Sequence, residues 1–414
     1  MWNKIQNDLR QKIIFFSMSL MLVSLFLSRG MLSISLILFV IISFFHKHMG
    51  AQFRRFLSTP LLWGMSLLFL LPLVSGLWSA DKESWMNVIR IKAPLFFLPL
   101  AFAMPLNFSN KEWERLAFFF LLLVTGATFW SMWQYVTDIE AIHRGYLHAK
   151  VIRTPLDDDH IRFSWIVSIS ILLAVWQFII KRKTASKIIL CCLIIMIAWL
   201  TIYLHILAAR TGILCFYAML LFSAGWFLIK KSKPLISTMI IVLLIILPVV
   251  SYFIFPTFQN RIKYFLYDAS YFRQSSYLPG SNDGSRYFSI KAGIYILKEN
   301  EVLGVGFGDI RNETNAWYAA NVPQMLEKDK LIPSSEWLVY GDGCGWLGML
   351  IFTFVMLIPF FIRNHCAQIL WLLLNVSATL TFVFDVGLEV QYGVFLFCFI
   401  VLWWWKWLQT LKTI

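Results

Sequence analysis

Charge is what this sequence has least of. Only 14% of its 414 residues are Asp, Glu, Lys or Arg, while 59% are apolar and the mean hydropathy is +0.71. An ordinary soluble domain carries about a quarter charged residues. The shortfall, with long apolar runs repeated along the chain, excludes a soluble globular body and reads as a polytopic membrane protein. Cysteine is sparse as well. Cys191, Cys192, Cys215 and Cys398 lie inside apolar runs, where a thiol acts as a small hydrophobe, and Cys344 and Cys366 stand far from each other. No pair has metal-ligand spacing with histidine, which leaves neither a disulfide framework nor a zinc pattern. Internal repeats and low-complexity tracts are lacking. So is a small-residue cleavage site after the first apolar run, 13–27, which therefore reads as one span among many.

Acids are outnumbered by bases, 22 to 36, and the net charge of +14 raises nucleic acid as a partner. The positions of the charges answer that question. A helix needs about 20 apolar residues to cross the hydrocarbon. Runs of that kind fall at 12–28, 30–46, 60–78, 93–105, 115–136, 161–180, 187–207, 211–229, 235–255, 346–362, 367–385 and 388–408. Twelve spans put both termini on one side. With that side cytoplasmic, its short segments hold Lys4, Arg10 and Lys12; Lys47, Arg54 and Arg55; Lys111 and Arg115; Lys181, Arg182, Lys183 and Lys187; Lys230, Lys231 and Lys233; Arg363; and Lys406 and Lys412. These are 18 of the 36 bases, against three acids of 22, Asp8, Glu112 and Glu114. Such asymmetry is the positive-inside pattern. It accounts for the basic balance without nucleic acid and names membrane lipids as the surroundings.

The expected fold is thus all-α, with about twelve transmembrane helices and two long outer loops. Residues 1–255 hold nine spans and the outer loop 137–160, residues 256–345 form a large outer loop domain, and 346–414 hold three more spans. A two-fold transporter would show related halves. Here the bulk outside the membrane comes late, after span nine, and the spans carry almost no ionisable residue beyond His205.

The late loop contains DGSRYFSIKAGIYILKENEVLGVGFGDI, residues 283–310. Ile290, Ile294 and Leu297, widened by Phe288 and Ile296, predict an amphipathic helix over 285–300, with its apolar face on the membrane domain and Asp283 or Ser285 as N-cap. Arg286 would then sit in the first turn, against the helix dipole, unless an anion binds there. The plainer reading is a solvated Arg286, or one paired with Asp283. GVGFGD lacks the third glycine of a dinucleotide fingerprint and follows a helix, so a turn pressed against another element is expected. In LAARTGILCF, Arg210 opens span eight at the outer face, where it either snorkels to headgroups or binds an anion. Two outer arginines at helix starts fit a phosphate or diphosphate carried by a lipid.

These stretches resemble the O-antigen ligase and polymerase superfamily. SRYFSIKAGIYILKENEVLGVGFGD (285–309) is similar to its outer-loop signature, in which an Arg opens a helix that runs into a glycine turn containing Gly304 and Gly306. AARTG (208–212) resembles its span-opening segment, and PSSEWLVYGDGCGWLGML (333–350) its next signature, with Gly345 and Gly348 at the glycine positions and Trp337 and Leu338 at the aromatic-Leu step. VGLEVQYGVFLFCF (386–399) looks like the last span of Bacteroidetes-type members. The resemblance implies a GT-C-like fold in the bacterial inner membrane, with a helical periplasmic loop between spans nine and ten. It implies glycan transfer from an undecaprenyl-diphosphate-linked donor to a lipid A core or other glycan acceptor, without metal or cofactor. Arg210 and Arg286 would match its diphosphate-binding arginines.

One departure stands out. The family's His and Asn positions are Ser334 and Ser335 here. A hydroxyl is no general base near neutral pH without help. Glu336 could take the role, or His160 from LDDDHIRFS (156–164), near His143 and His148; or the chain keeps binding without transfer. Solvated loop acids and salt-bridged loop histidines are the plain alternatives for Glu336, Asp342 and His160. Asp157, Asp158 and Asp159 suggest a cation site only weakly, because three consecutive carboxylates do not converge. Asp385 and Glu389 read as structural partners of outer arginines. Trp403, Trp404 and Trp405, beside Lys406, read as an interfacial belt, and Trp317, Tyr318 and Trp337 as sugar-stacking or packing residues. A lipid-linked saccharide flippase is the alternative from another class.

Overall fold

The computed structural model describes residues 2–148, 150–272, 277–362 and 368–411; Arg363, Cys366 and Lys412 lie outside the described residues. Every regular element among the described residues is helical. In hydrocarbon this is forced, because a backbone that meets no water must satisfy its own hydrogen bonds. The first half comprises α1 (Trp2–Leu27), α2 (Arg29–Phe44), α3 (Met49–Ser58), α4 (Pro60–Ser75), α5 (Lys82–Lys92), α6 (Pro94–Phe102), α7 (Asn110–Thr137), α8 (Ile139–Tyr146) and α9 (His160–Lys181). The second comprises α10 (Lys187–Leu207), α11 (Arg210–Ile229), α12 (Pro234–Ile254), α13 (Pro256–Phe272), α14 (Asn282–Glu299), α15 (Ile310–Asn321), α16 (Glu336–Phe361), α17 (Ile369–Phe384) and α18 (Gln391–Thr410).

Among the described residues nine helical stretches are long and apolar enough to cross a membrane, and the pair α2–α3, bent by 110°, makes a tenth if it is one span. Helices α4 and α17 are apolar but only 16 residues each. The run expected at 93–105 is longer than charge punctuation suggested, because helix continues from α5 into α6 over Lys82–Phe102. Lys92 does not end it: the side chain is fully buried, pairs with Glu389 at 2.5 Å and lies over the Tyr340 ring at 4.8 Å. Glu389 thus answers a lysine, not an arginine.

Helix α18 runs through the middle of the bundle, against α6, α7 and α17. Trp403, Trp404 and Trp407 are buried there, with Phe120 and Phe399 edge-on or tilted against Trp403. The tryptophans expected as an interfacial belt are therefore core. Their run reads the same either way, since a buried span and a lipid-facing one are both apolar all round.

Residues of α13, α14, α15 and the first turns of α16 cover one end of the bundle. Helix α14 begins earlier than expected. Its cap is Ser281, whose side chain accepts from the Gly284 amide, so neither Asp283 nor Ser285 caps it and Arg286 lies in the second turn. Its buried face keeps part of the expected stripe. Phe288, Ile296 and Leu297 point inward together with Ser285, Ser289, Ala292 and Gly293, while Ile294 is exposed. Small residues share that face because α14 approaches the segment before α16 closely: a Cβ on Gly293 would lie 2.8 Å from Pro333. Phe288 joins Tyr318, Val322 and Met325 in a second small core.

GVGFGD is a docking turn. Helix α16 breaks at Cys344 and Gly345, and Gly345 has φ +65°. The turn seats in that break: the Val305 amide donates to Asp342 O (2.7 Å), the Gly306 amide to Gly343 O (3.1 Å), and the Trp346 amide returns to Glu301 O (2.9 Å). On its other side the Asp309 carboxylate accepts from the amides of Ala80 and Asp81, at 2.6 and 3.0 Å. A Cβ on Gly345 would lie 2.4 Å from Glu301 O, at a φ that L residues avoid. We expect Gly345→Ala to destabilise the protein by about 2–3 kcal/mol or more, whereas Gly126→Ala in α7, where nothing lies within 4 Å, leaves stability unchanged or raised by up to about 1 kcal/mol. Apparent Tm in detergent checks both.

Candidate functional site

Helix α10 ends in a left-handed residue, Ala208 (φ 47°, ψ 32°), and the extended Ala209 turns the chain straight into α11. Arg210 is the first residue of α11. Its position is fixed by Gly212, two residues on: the Gly212 amide donates to Ser164 Oγ (3.1 Å), and Ser168 Oγ donates to Gly212 O (2.8 Å). A Cβ on Gly212 would overlap Ser164, so the ARTG run seats α11 against α9.

Arg286 reaches the same region from α14. Its Nη1 donates to Phe384 O (2.7 Å), and its Nη2 lies 3.9 Å from Asp385, which also pairs with Arg162 at 2.8 Å. Arg286 thus answers Asp385, while Asp283 pairs with Arg210. Between these elements lies a cavity of about 690 Å³ that contains both Arg210 and Arg286 in its wall. The pair separated by 76 positions in sequence shares one site.

A third guanidinium in the wall, Arg261 of α13, was not singled out from sequence. It is 8% exposed, and its Nε and Nη1 are buried without a hydrogen-bond partner. Burial first, and the charge of Arg210 second, push its pKa down to about 10. A signal for it existed. Phe258, Arg261, Ile262 and Phe265 fall at i, i+3, i+4 and i+7, and all four line the cavity. Asp283, Arg286, Tyr287 and Ile290 repeat that spacing on α14 and line it too.

The wall therefore carries three guanidiniums and one carboxylate, Asp283, with the remainder mostly apolar. Leu214, Ile262, Phe265 and Phe384, all wall residues, are exposed on the surface of the bundle. Arg210 lies over the Phe265 ring at 5.0 Å. Such a site suits an anion joined to an apolar chain: fixed donors for phosphate oxygens and an apolar flank for the tail.

The other residues expected from sequence are distributed as follows. Ser334 lines the cavity, and its Oγ accepts from Ser289 Oγ (2.9 Å). Ser335 precedes α16 as its N-cap. Glu336 is fully buried, accepts from the Leu388 amide and is not among the wall residues. His160 opens α9 outside the wall, with Arg261, Asp159 and Arg286 as its charged neighbours. Asp157, Asp158 and Asp159 diverge, to Arg29, the Thr154 amide and Arg162. His143 bonds Tyr135, and His205 is held between Thr201 O and the Tyr217 hydroxyl. Tyr318 is buried, and neither it, Trp317 nor Trp337 belongs to the wall. Gly304, Gly306, Gly345 and Gly348 shape the docking turn and the α16 break, away from the cavity.

No known family model matches the chain, and neither does any curated protein.

The charge balance of the wall makes a stability prediction. Arg261→Met removes a buried cation that has no ion pair among the described residues, so apparent Tm should hold or rise. Asp283→Asn strips Arg210, about a third exposed, of its counter-charge and should cost about 1 kcal/mol. Thermal unfolding of the purified variants measures both, and a large loss in Arg261→Met alone would contradict the assignment.

Proposed function

We propose that the protein transfers glycan from an undecaprenyl-diphosphate-linked donor to a glycan acceptor, as an O-antigen ligase or polymerase does, at the periplasmic face of the bacterial inner membrane. The observation that carries this reading is the meeting of Arg210, Arg261 and Arg286 in one apolar-walled cavity open along the bundle surface. Its side follows from charge. The cavity lies at the start of α11, and the far end of that helix leads to Lys230, Lys231 and Lys233. The positive-inside rule places that far end in the cytoplasm, in a layout of about twelve spans that counts α2, α4 and α17 as crossings.

In this mechanism the diphosphate lies among the guanidiniums and the polyprenyl tail along Leu214, Ile262 and Phe265. An acceptor hydroxyl attacks the anomeric carbon, and the bond to the diphosphate oxygen breaks. Its electron pair leaves with the diphosphate, whose growing charge the arginines stabilise most in a dry site. The hydroxyl proton passes to a base. Sequence put Glu336 first and His160 second. Glu336 is buried against the Leu388 amide as a strut of the α17–α18 turn, and His160, half-buried at the start of α9, is the base of this proposal.

Ser334 in the wall, where the resembling family has His, favours a second reading: a ligase-like protein that binds the carrier without transfer. The flippase alternative keeps the same binding step.

Arg210→Gln, Arg261→Gln and Arg286→Gln should each lower transfer by about 100-fold or more in purified protein given polyprenyl-diphosphate donor and acceptor glycan. Wild-type transfer in any two of them overturns the proposal. Donor binding with no transfer in the unaltered protein selects the binding-only reading, and donor movement between leaflets of sealed vesicles selects the flippase.

The base has its own test. His160→Asn should lose about 100-fold in transfer at unchanged apparent Tm, whereas Glu336→Gln should lower Tm. A stable, inactive Glu336→Gln would return the role to Glu336.

A further inference from the structure

The opposite end of the bundle holds a second group of cations, which the proposed reaction does not use. Arg10 of α1, Arg55 of α3 and Lys406 of α18 converge just beyond the end of α6. Lys406 Nζ donates to Met104 O (3.2 Å), and Arg55 Nη1 donates to the same oxygen (3.5 Å). Arg10 Nη2 points at the Met104 thioether (3.4 Å), a weak acceptor for a full positive charge. Arg10 and Lys406 are only 8% and 5% exposed, and Arg10 Nε is buried with no hydrogen-bond partner.

No ion pair involves any of the three among the described residues. The nearby acids of α7 are engaged elsewhere: Glu112 closes a capping box with Ser109, and Glu114 pairs with Lys181 at 3.0 Å. A helix C-terminus offers about half a negative charge, which leaves two cations on one carbonyl and a third on a thioether far from balance. An uncompensated buried charge costs several kcal/mol.

We propose that this cluster binds the phosphate group of an anionic phospholipid in the leaflet at that end. Guanidiniums from two helices and an ammonium from a third match a phosphodiester's oxygens, and basic pockets between spans on the cytoplasmic side are where such headgroups bind. Exposed apolar residues on the same helices, Leu9, Ile13 and Phe16 of α1 and Phe53 of α3, give acyl chains a surface. A free phosphate would have no use for them. The site stands independently of the transfer reading.

The test uses the full-length protein in nanodiscs of phosphatidylcholine with and without phosphatidylglycerol. Phosphatidylglycerol should raise apparent Tm, and native mass spectrometry should find it retained. Arg10→Gln and Arg55→Gln should lose both effects, while Lys231→Gln, an exposed cation on another loop at the same end, keeps them. If Arg10→Gln fails to fold, the exposed Arg55→Gln carries the comparison. Equal shifts in Arg55→Gln and the unaltered protein overturn the proposal. Inorganic phosphate reproducing the whole shift in phosphatidylcholine alone would assign the anion to solution and overturn the lipid.

Discussion

Asp385 holds two arginines at once, and much of the cavity end depends on it. Its carboxylate lies 2.8 Å from Arg162 of α9 and 3.9 Å from Arg286 of α14. Arg162 in turn donates to Val386 O (2.9 Å) and pairs with Asp159. One buried acid at the α17–α18 corner thereby ties a span, an outer helix and a turn together. An ion pair so enclosed adds little net stability, because desolvation offsets attraction. What it contributes is position: Arg286 is aimed along a fixed line, with Phe384 O accepting its other nitrogen.

The outer layer is joined to the bundle by backbone as much as by charge. The turn at Gly304 and Gly306 fills the break in α16 and leans on Ser75 and Ser79 at the end of α4, through the amides of Phe307 and Gly308. These hydrogen bonds satisfy groups that a broken helix would otherwise leave open. The glycine signature is therefore a matter of close backbone approach, and the chemistry that it frames lies elsewhere, where α10, α11, α13 and α14 meet.

Much of this was legible in the sequence. Each of the twelve apolar runs falls on helix, since composition alone decides that in a membrane. Ion pairs join Arg29 to Asp157 and Lys181 to Glu114, within the two sides that the charge pattern assigned. What escaped was whatever depends on neighbours. Ser281 displaced Asp283 as cap because Asp283 had Arg210 to pair with. The inward face of α14 mixes Phe288, Ile296 and Leu297 with small residues, because the segment before α16 comes within 2.8 Å of where a Cβ on Gly293 would lie. Trp403 and Trp404 gave no sign of being central, because an all-apolar helix has no face to read. Arg261 was overlooked among many outer cations, although its stripe on α13 matched that on α14.

Helix α12 has only two buried residues, Ser237 and Ser251, and its main packing partners are α11 and α13. It passes into α13 through Phe255 alone, and α13 packs in turn on α8, α10 and α14. Arg210 is anchored through Gly212 to α9, and Arg286 through Asp385. Arg261 is carried by α13, which Thr257, donating to Ile206 O, fastens to the end of α10. Each of the three arginines thus has its own fastening, to α9, to α10 and to the α17–α18 corner, so their spacing is set by how those helices pack and not by any contact among the guanidiniums themselves.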